Sequence, residues 1–302
     1  MRVAALFPAA ADIVAALGAA DRLVAMTHAC IQPHGVPLVP RITRNRIVAL
    51  EPAAIDREVR EVSGTGAPLF DLDDARLAAT APDVIFAQAV CDVCAVRAED
   101  VAAVANRLSP PPRLVTLSAS SVEGVLRDVV TVGEALGISD EAEELALGLR
   151  GRLRRVHERL ELAGAPRPRA AVIEWTDPLF AAGHWVPDMV HRAGGIEVLG
   201  TEGIASRRME VSDVRASRPE VIVIAPCGVG LADASREGLA LLQRSDWTWA
   251  GDVPAWSIDA NRLTSTPGPG VVHGVEVLAR ILHPDLFGPP SGSAAQALRP
   301  AH

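Results

Sequence analysis

Lysine and tyrosine are both absent from this 302-residue sequence, and aromatic residues make up only 3% of it. Every one of the 29 basic positions is therefore Arg, which we read with the alanine richness as a compositional habit of the source. Against 37 acidic residues the net charge is −8, and no basic stripe breaks the mixed charge. A nucleic-acid binder is excluded on that ground, while an acidic surface keeps a protein dissolved and can meet a basic partner. No run reaches the ~18 apolar residues a membrane helix needs, so no direct membrane insertion is expected. The sequence has no Gly-x-Ser-x-Gly elbow, no P-loop, no His-Glu-x-x-His and no Gly-x-Gly-x-x-Gly turn. Nucleotide binding and the common hydrolytic chemistries thus lack their motifs, and the chain reads as a binder, not an enzyme. Four Cys do not assign a redox compartment, since a chain this long folds without disulfides.

What is present is ample for packed cores: 49% hydrophobic residues and a mean hydropathy of +0.22. Met1-Arg2 is followed at once by Val3–Phe7 and then Pro8, a run too short for a secretory h-region. As written, the sequence suits a cytoplasmic protein; with a leader removed, it suits a periplasmic or extracytoplasmic one.

Short apolar runs alternate with helical patterns, which predicts an α/β fold with mainly parallel strands. The expected strands are Val3–Phe7, Leu23–Met26, Val84–Ala87, Leu114–Leu117, Arg169–Glu174, Val221–Ala225 and Ala255–Ile258. Helices are expected over Ala10–Leu17, from Ser120 to Leu136, and over Val186–Ala193, Leu239–Leu242 and Gly270–Leu282. The longest helical pattern runs from Glu141 to Leu162, where Leu145, Leu149, Leu153, Val156 and Leu160 recur at spacings of three and four. The resulting division is an N-terminal α/β lobe over 1–138, a connecting helix over 139–165, and a C-terminal α/β lobe over 166–287. The remainder, 288–302, is small, polar and proline-flanked, and is expected to be disordered.

Ligands of parallel α/β sheets bind beyond the carboxyl ends of the strands. Residues just past each expected strand are therefore the site candidates: Pro8; Thr27, His28 and Cys30; Gln88, Cys91 and Cys94; Glu174, Trp175, His184 and Trp185; Cys227; and Asn261. Arg44 and Arg207 are the arginines chosen to meet anionic ligand groups, because the guanidinium fork binds carboxylate or phosphate bidentately. All four Cys and two of the eight His fall in this set. Cys30, Cys91, Cys94, Cys227 and His184 form the candidate metal set. Cys91-x-x-Cys94 alone is open to three readings: a metal half-site, a redox pair, or two thiols packing a turn. His184 could ligate a metal through a neutral imidazole nitrogen or simply bond a loop carbonyl. Glu174-Trp175 offers an acceptor beside a flat apolar face, suited to the edge and plane of a macrocycle.

At these residues the sequence resembles a known family. Ala5–Val14 with Leu17-Gly18 is similar to the opening of periplasmic cobalamin- and ferric-siderophore-binding proteins of class III. Leu23–Cys30, Pro82–Ile85, Arg218–Ile222 and Gly268-Pro269 resemble further segments of that family, over roughly residues 1–287. Cys91–Val96 and Gly183–Pro187 resemble its cobalamin-binding subgroup. The resemblance implies two Rossmann-like lobes joined by one backbone helix, a ligand in the cleft between them, and small hinge motion. It also implies transfer of ligand to an ABC transporter permease through acidic patches. Asp71, Asp73 and Asp74 form a compact acidic run that reads either as a docking patch for a basic partner or as a solvated face. The expected protein is a monomer that captures a corrinoid (cobalamin-like) or related metal complex. The alternative is a cytoplasmic metal-binding or redox protein using the Cys/His cluster on the same fold.

Overall fold

Strands β1 (Val3–Ala5) and β2 (Leu23–Met26) are short apolar runs separated by helix α1 (Pro8–Ala16), which Pro8 opens at its first turn. A rigid φ and a missing N–H suit proline to that position. The chain is seen in a computed structural model that describes residues 1–90 and 95–299. Chain contacts divide it into two units, one of Met1–Ala119 with Glu123–Gly148, the other of Ser120–Val122 with Leu149 onward.

The first unit continues with β3 (Thr43–Asn45), α2 (Pro52–Gly64), β4 (Phe70–Leu72), α3 (Asp74–Ala79), β5 (Val84–Gln88), α4 (Ala98–Ala105) and β6 (Arg113–Leu117). Helix α5 (Val122–Leu136) follows, and α6 (Ser139–Ala163) contributes residues to both units. Its main sheet has the order β2-β1-β5-β6, and every pairing is parallel. Alternation along the strands splits the apolar residues between two cores. Val3, Ala5, Leu23, Met26, Val84 and Phe86 enter one; Ala4, Leu6, Ala25, Ile85 and Ala87 enter the other. Sheets covered on both faces need such continuous apolar strands. β3 and β4 form a separate antiparallel pair, and α2 buries none of its residues fully.

The second unit holds β7 (Arg169–Thr176), β8 (Leu179–Ala181), α7 (Val186–Arg192), β9 (Ile196–Glu197), β10 (Arg207–Arg208), α8 (Val211–Ala216), β11 (Val221–Ile224) and α9 (Leu231–Leu242). It ends with β12 (Ala255–Ile258), α10 (Ala260–Leu263), α11 (Gly270–Leu282), α12 (Pro284–Phe287) and β13 (Ala295–Arg299). The sheet order is β10-β8-β7-β11-β12-β13, with β9 added beside β7. β7 pairs parallel with β11 and the short β9, and β11 with β12; β8, β10 and β13 each join through an antiparallel pairing. Ile173, Ile222, Ile224 and Ala255 share a core with Trp247, which is wholly buried.

β13 corrects one expectation. The segment beyond 288 is not disordered through to Arg299: residues 295–299 pair antiparallel with β12. Ser235 Oγ, 2.6 Å from Ser257 Oγ, also donates to Gln296 Oε1 at 3.0 Å, a buried polar link that composition does not reveal. Helix α9 likewise begins eight residues before the expected Leu239, straight after Gly230. β1 stops at Ala5 because Pro8 already starts α1, and β7 runs on to Thr176, past the expected Glu174.

Candidate functional site

The carboxyl ends of β7, β8, β11 and β12 gather a connected set of side chains in the second unit. Glu174 sits at its centre. Its Oε2 accepts the Gly183 N–H at 3.1 Å, its Oε1 accepts the Ser206 hydroxyl at 2.7 Å, and its carbonyl accepts the Cys227 N–H at 3.0 Å. The strand pairing explains this arrangement, because β7 lies between β8 and β11. Trp175 is half-buried, and its Nε1 donates to the Asp177 carbonyl at 3.1 Å. With that polar handle engaged, what the indole can offer a ligand is its ring face.

His184 has φ of 54°, a left-handed conformation that is uncommon outside glycine and costs a side-chain-bearing residue some strain. Two hydrogen bonds hold it: its N–H donates to the Ile204 carbonyl at 2.7 Å, and its carbonyl accepts the Gly203 N–H at 2.8 Å. On one side, Gly183 leaves no room for a side chain, since a Cβ there would lie 2.4 Å from the Ser206 nitrogen. On the other side stands Trp185, whose ring stacks on the imidazole at 5.6 Å and 28°. Trp185 corrects a second expectation. It is 8% exposed and its Nε1 donates to the Thr264 carbonyl at 2.7 Å, so the indole is an interior anchor of the turn. Cys227 is partly exposed, and the next residue, Gly228, donates its N–H to Ser265 Oγ at 2.8 Å. Asn261 donates its N–H to the Val229 carbonyl at 3.1 Å, which ties the start of α10 to the turn after β11. Arg207 is exposed, and its Nη2 donates to the Leu199 carbonyl at 3.1 Å.

In the first unit the strand ends carry Pro8, Thr27, His28 and Gln88 as expected. Gln88 is buried at the end of β5, and Pro8 is half-buried. Thr43 Oγ1 accepts the His28 N–H at 2.9 Å and lies 2.8 Å from its Nδ1, while the ring tilts over Phe70. Burial and then the Arg41 charge hold the His28 imidazole below its ordinary range, favouring the neutral form a metal would need. Arg44 is exposed and paired with Asp71 at 3.0 Å, which also takes Arg46 at 2.6 Å. These bonds keep the Asp71 carboxyl below the usual range. Asp73 caps α3 through the Arg76 N–H, and Asp74 pairs with Arg107. The acidic run singled out for docking is thus engaged within its own unit.

Cys30 does not fit a metal ligand, a third correction. It is 5% exposed inside the apolar core, with its Sγ 3.2 Å from Thr27 Oγ1. Burial pushes its thiol up, away from the thiolate that binds metal. Cys91 and Cys94 lie outside the described residues. Among the described residues no group of three or more His, Cys, Asp or Glu is placed to hold a metal ion. The described donors therefore do not fit a resident ion.

Sequence reasoning missed Ser206 and Glu197. The Glu197 carboxylate accepts N–H groups of Leu199 at 2.9 Å, Gly200 at 3.1 Å and Val172 at 3.2 Å. Burial raises its pKa to about 7 against those bonds. No motif marks either residue, because their partners lie 25 to 32 positions away or are bare backbone.

In parallel α/β units small molecules bind beyond the carboxyl edges of the strands, where these polar side chains lie. Residues 3–251 match the family described as periplasmic binding protein, and the chain belongs to that family as a substrate-binding protein. Its fold is that of a periplasmic heme-binding protein from Pseudomonas aeruginosa, at 21% identity and TM-score 0.72, covering 100% of this chain and 99% of that one. A periplasmic heme-binding protein from Roseiflexus sp. RS-1 aligns at 19% identity and TM-score 0.68, over 95% and 98% of the two chains. The periplasmic vitamin B12 binding protein of Vibrio cholerae gives 15%, 0.67, 93% and 96%. At these identities the likeness is one of fold. A comparison with curated protein sequences finds no match. No helix among the described residues is long and apolar enough to cross a membrane.

Proposed function

We propose that this protein captures a corrinoid or a related planar metal complex and passes it to an ABC transporter permease. It acts by binding, without catalysis, as an extracytoplasmic monomer. The observation that carries this reading is the edge of the second unit, where the Glu174 carboxylate binds the Gly183 N–H that precedes His184 and the half-buried Trp175 follows Glu174 on β7. An indole face suits the plane of a macrocycle, and a histidine nitrogen suits an open axial position on cobalt or iron. A planar complex already satisfies most of its metal's coordination, so it needs one protein donor where a bare ion needs three or four. His184 fits that single-donor requirement. Glu174, Trp175, Cys227, Asn261 and Arg207 complete the proposed contacts in this unit.

Calorimetry and thermal shift with cyanocobalamin, diaquocobinamide and hemin test the reading. Binding at one-to-one stoichiometry is expected, with about 2.7 kcal/mol of added stability at ~100 times the dissociation constant. No heat and no shift with all three would overturn it.

A further inference from the structure

The loop from Leu199 to Ser206 has no ladder of its own, yet it supplies both hydrogen bonds that hold His184 in its left-handed conformation. Something must hold the loop. At its far end Ser206 is tied to Glu174. At its near end the Leu199 carbonyl accepts Arg207 Nη2, and the N–H groups of the first turn are held by Glu197, the last residue of β9. β9 pairs with β7 only through Ile196 and Glu197, and the Glu197 carboxylate then takes the place of the next rung by accepting the Val172 N–H. Its other oxygen gathers the Leu199 and Gly200 N–H groups at the loop's first turn. Gly200 is thereby pressed onto the Ala182 carbonyl, where a Cβ would sit at 1.9 Å. Ala182 directly precedes Gly183 and His184. One carboxylate therefore fixes the loop against the strand that delivers the turn.

We propose that Glu197 is a positioning residue for ligand capture: through the 199–206 loop it keeps the His184 imidazole in the strained conformation from which it meets the ligand's metal. This rests on the reading that His184 donates to such a metal. The groups that titrate nearby have other partners. Asp188 on α7 accepts the Val122 N–H and pairs with Arg192, and His191 bonds Arg167. The donors on Glu197 are all backbone N–H groups, so its role is geometric.

The test is a double-mutant cycle of Glu197→Ala with His184→Gly, read with hemin and diaquocobinamide. Glycine adopts the left-handed conformation without strain, so the 184 backbone no longer needs the loop. Glu197→Ala in the parent should weaken binding by about 10-fold or more and remove the nitrogen-ligation bands from the visible spectrum. In the His184→Gly background, with free imidazole supplying the donor, Glu197→Ala should change affinity by less than about twofold. Equal losses in both backgrounds, or an unchanged spectrum in the parent, would overturn the proposal. If Glu197→Ala fails to fold, Glu197→Gln enters the same cycle with an intermediate loss expected, because it keeps one acceptor oxygen. If the parent protein binds neither probe, the proposed function fails. The inference then stands or falls on the ring-proton NMR signal of His184, shifted by the stacked Trp185. That signal should move toward its free position in Glu197→Gln, and an unmoved signal would refute the inference.

Discussion

Glu197→Gln should make the protein less stable in mild acid and more stable in mild alkali than the parent, a reversal of sign with pH. Burial raises the carboxyl from its ordinary 4.5 to about 7 in the folded state. Below pH 4.5 both folded and unfolded chains carry the proton, and the full stabilising difference is present. Between 4.5 and 7 the unfolded chain releases it while the folded chain keeps it, so stability falls as pH rises through that window. At about 1.4 kcal/mol per tenfold change in proton affinity, the whole span amounts to about 3 kcal/mol. Glutamine carries no proton to lose, but its amide nitrogen faces one backbone N–H, which costs about 1 kcal/mol. The variant should therefore lose about 1 kcal/mol at pH 4 and gain about 2 kcal/mol at pH 8. Asp12 and Asp128, each raised by burial to about 6, slope the same way in both proteins and cancel in the comparison. Urea unfolding at the two pH values gives the midpoints directly, provided the slopes agree. Parallel curves for parent and variant would refute the reasoning, because they would mean that Glu197 ionises without cost.

Acid should act through a different pair. Partial burial alone would raise the Glu276 carboxyl, but the Arg152 fork, bonded at 2.8 and 2.6 Å, and His273 outweigh it and hold it at about 2. Its contribution is present above pH 4.5 and fades as pH falls toward 2, so Arg152→Met should cost under about 1 kcal/mol at pH 7 and nothing near pH 2 by denaturant titration. Leu153→Pro breaks α6 where a buried face packs, and calorimetry should show a loss of roughly 3 kcal/mol or more. Gly183→Ala places a methyl against the 204–206 backbone and should cost about 1–3 kcal/mol in the same assay. Ending the chain after Ala294 removes β13 and leaves the Ser235–Ser257 pair without Gln296. That truncation should lower stability by at least about 1 kcal/mol and speed exchange of the β12 amides.

Where local pattern and tertiary demand coincide, the sequence was readable. β2, β12 and α11 fall on the residues their periodicity indicates, because each is a short buried run or a strong amphipathic stripe. The two readings diverge where stability comes from distant partners. Ala295–Arg299 has the composition of a tail and becomes a strand through β12 and a buried serine pair. α2 carries Ile55, Val59 and Val62 at helical spacings of four and three, yet it is not among the expected helices and buries none of its residues fully. At the site, the strand-end rule located Glu174, Trp175, His184 and Cys227 on connected elements of one unit. It could not tell that Trp185 turns inward, since a stacking indole and a core indole read alike in sequence. Nor could it reveal Glu197, whose work is done entirely on backbone groups.

The tryptophans add a spectroscopic consequence. All five, at 175, 185, 247, 249 and 256, belong to the second unit, and the chain has no tyrosine. Near-ultraviolet emission excited at the indole band therefore comes from one unit, while the other is silent. Far-ultraviolet dichroism reports the helices of both. Following the two signals during one denaturation separates the melting of the units without any label. A coloured macrocycle stacked on Trp175 would quench a signal that arises only from the unit that holds it.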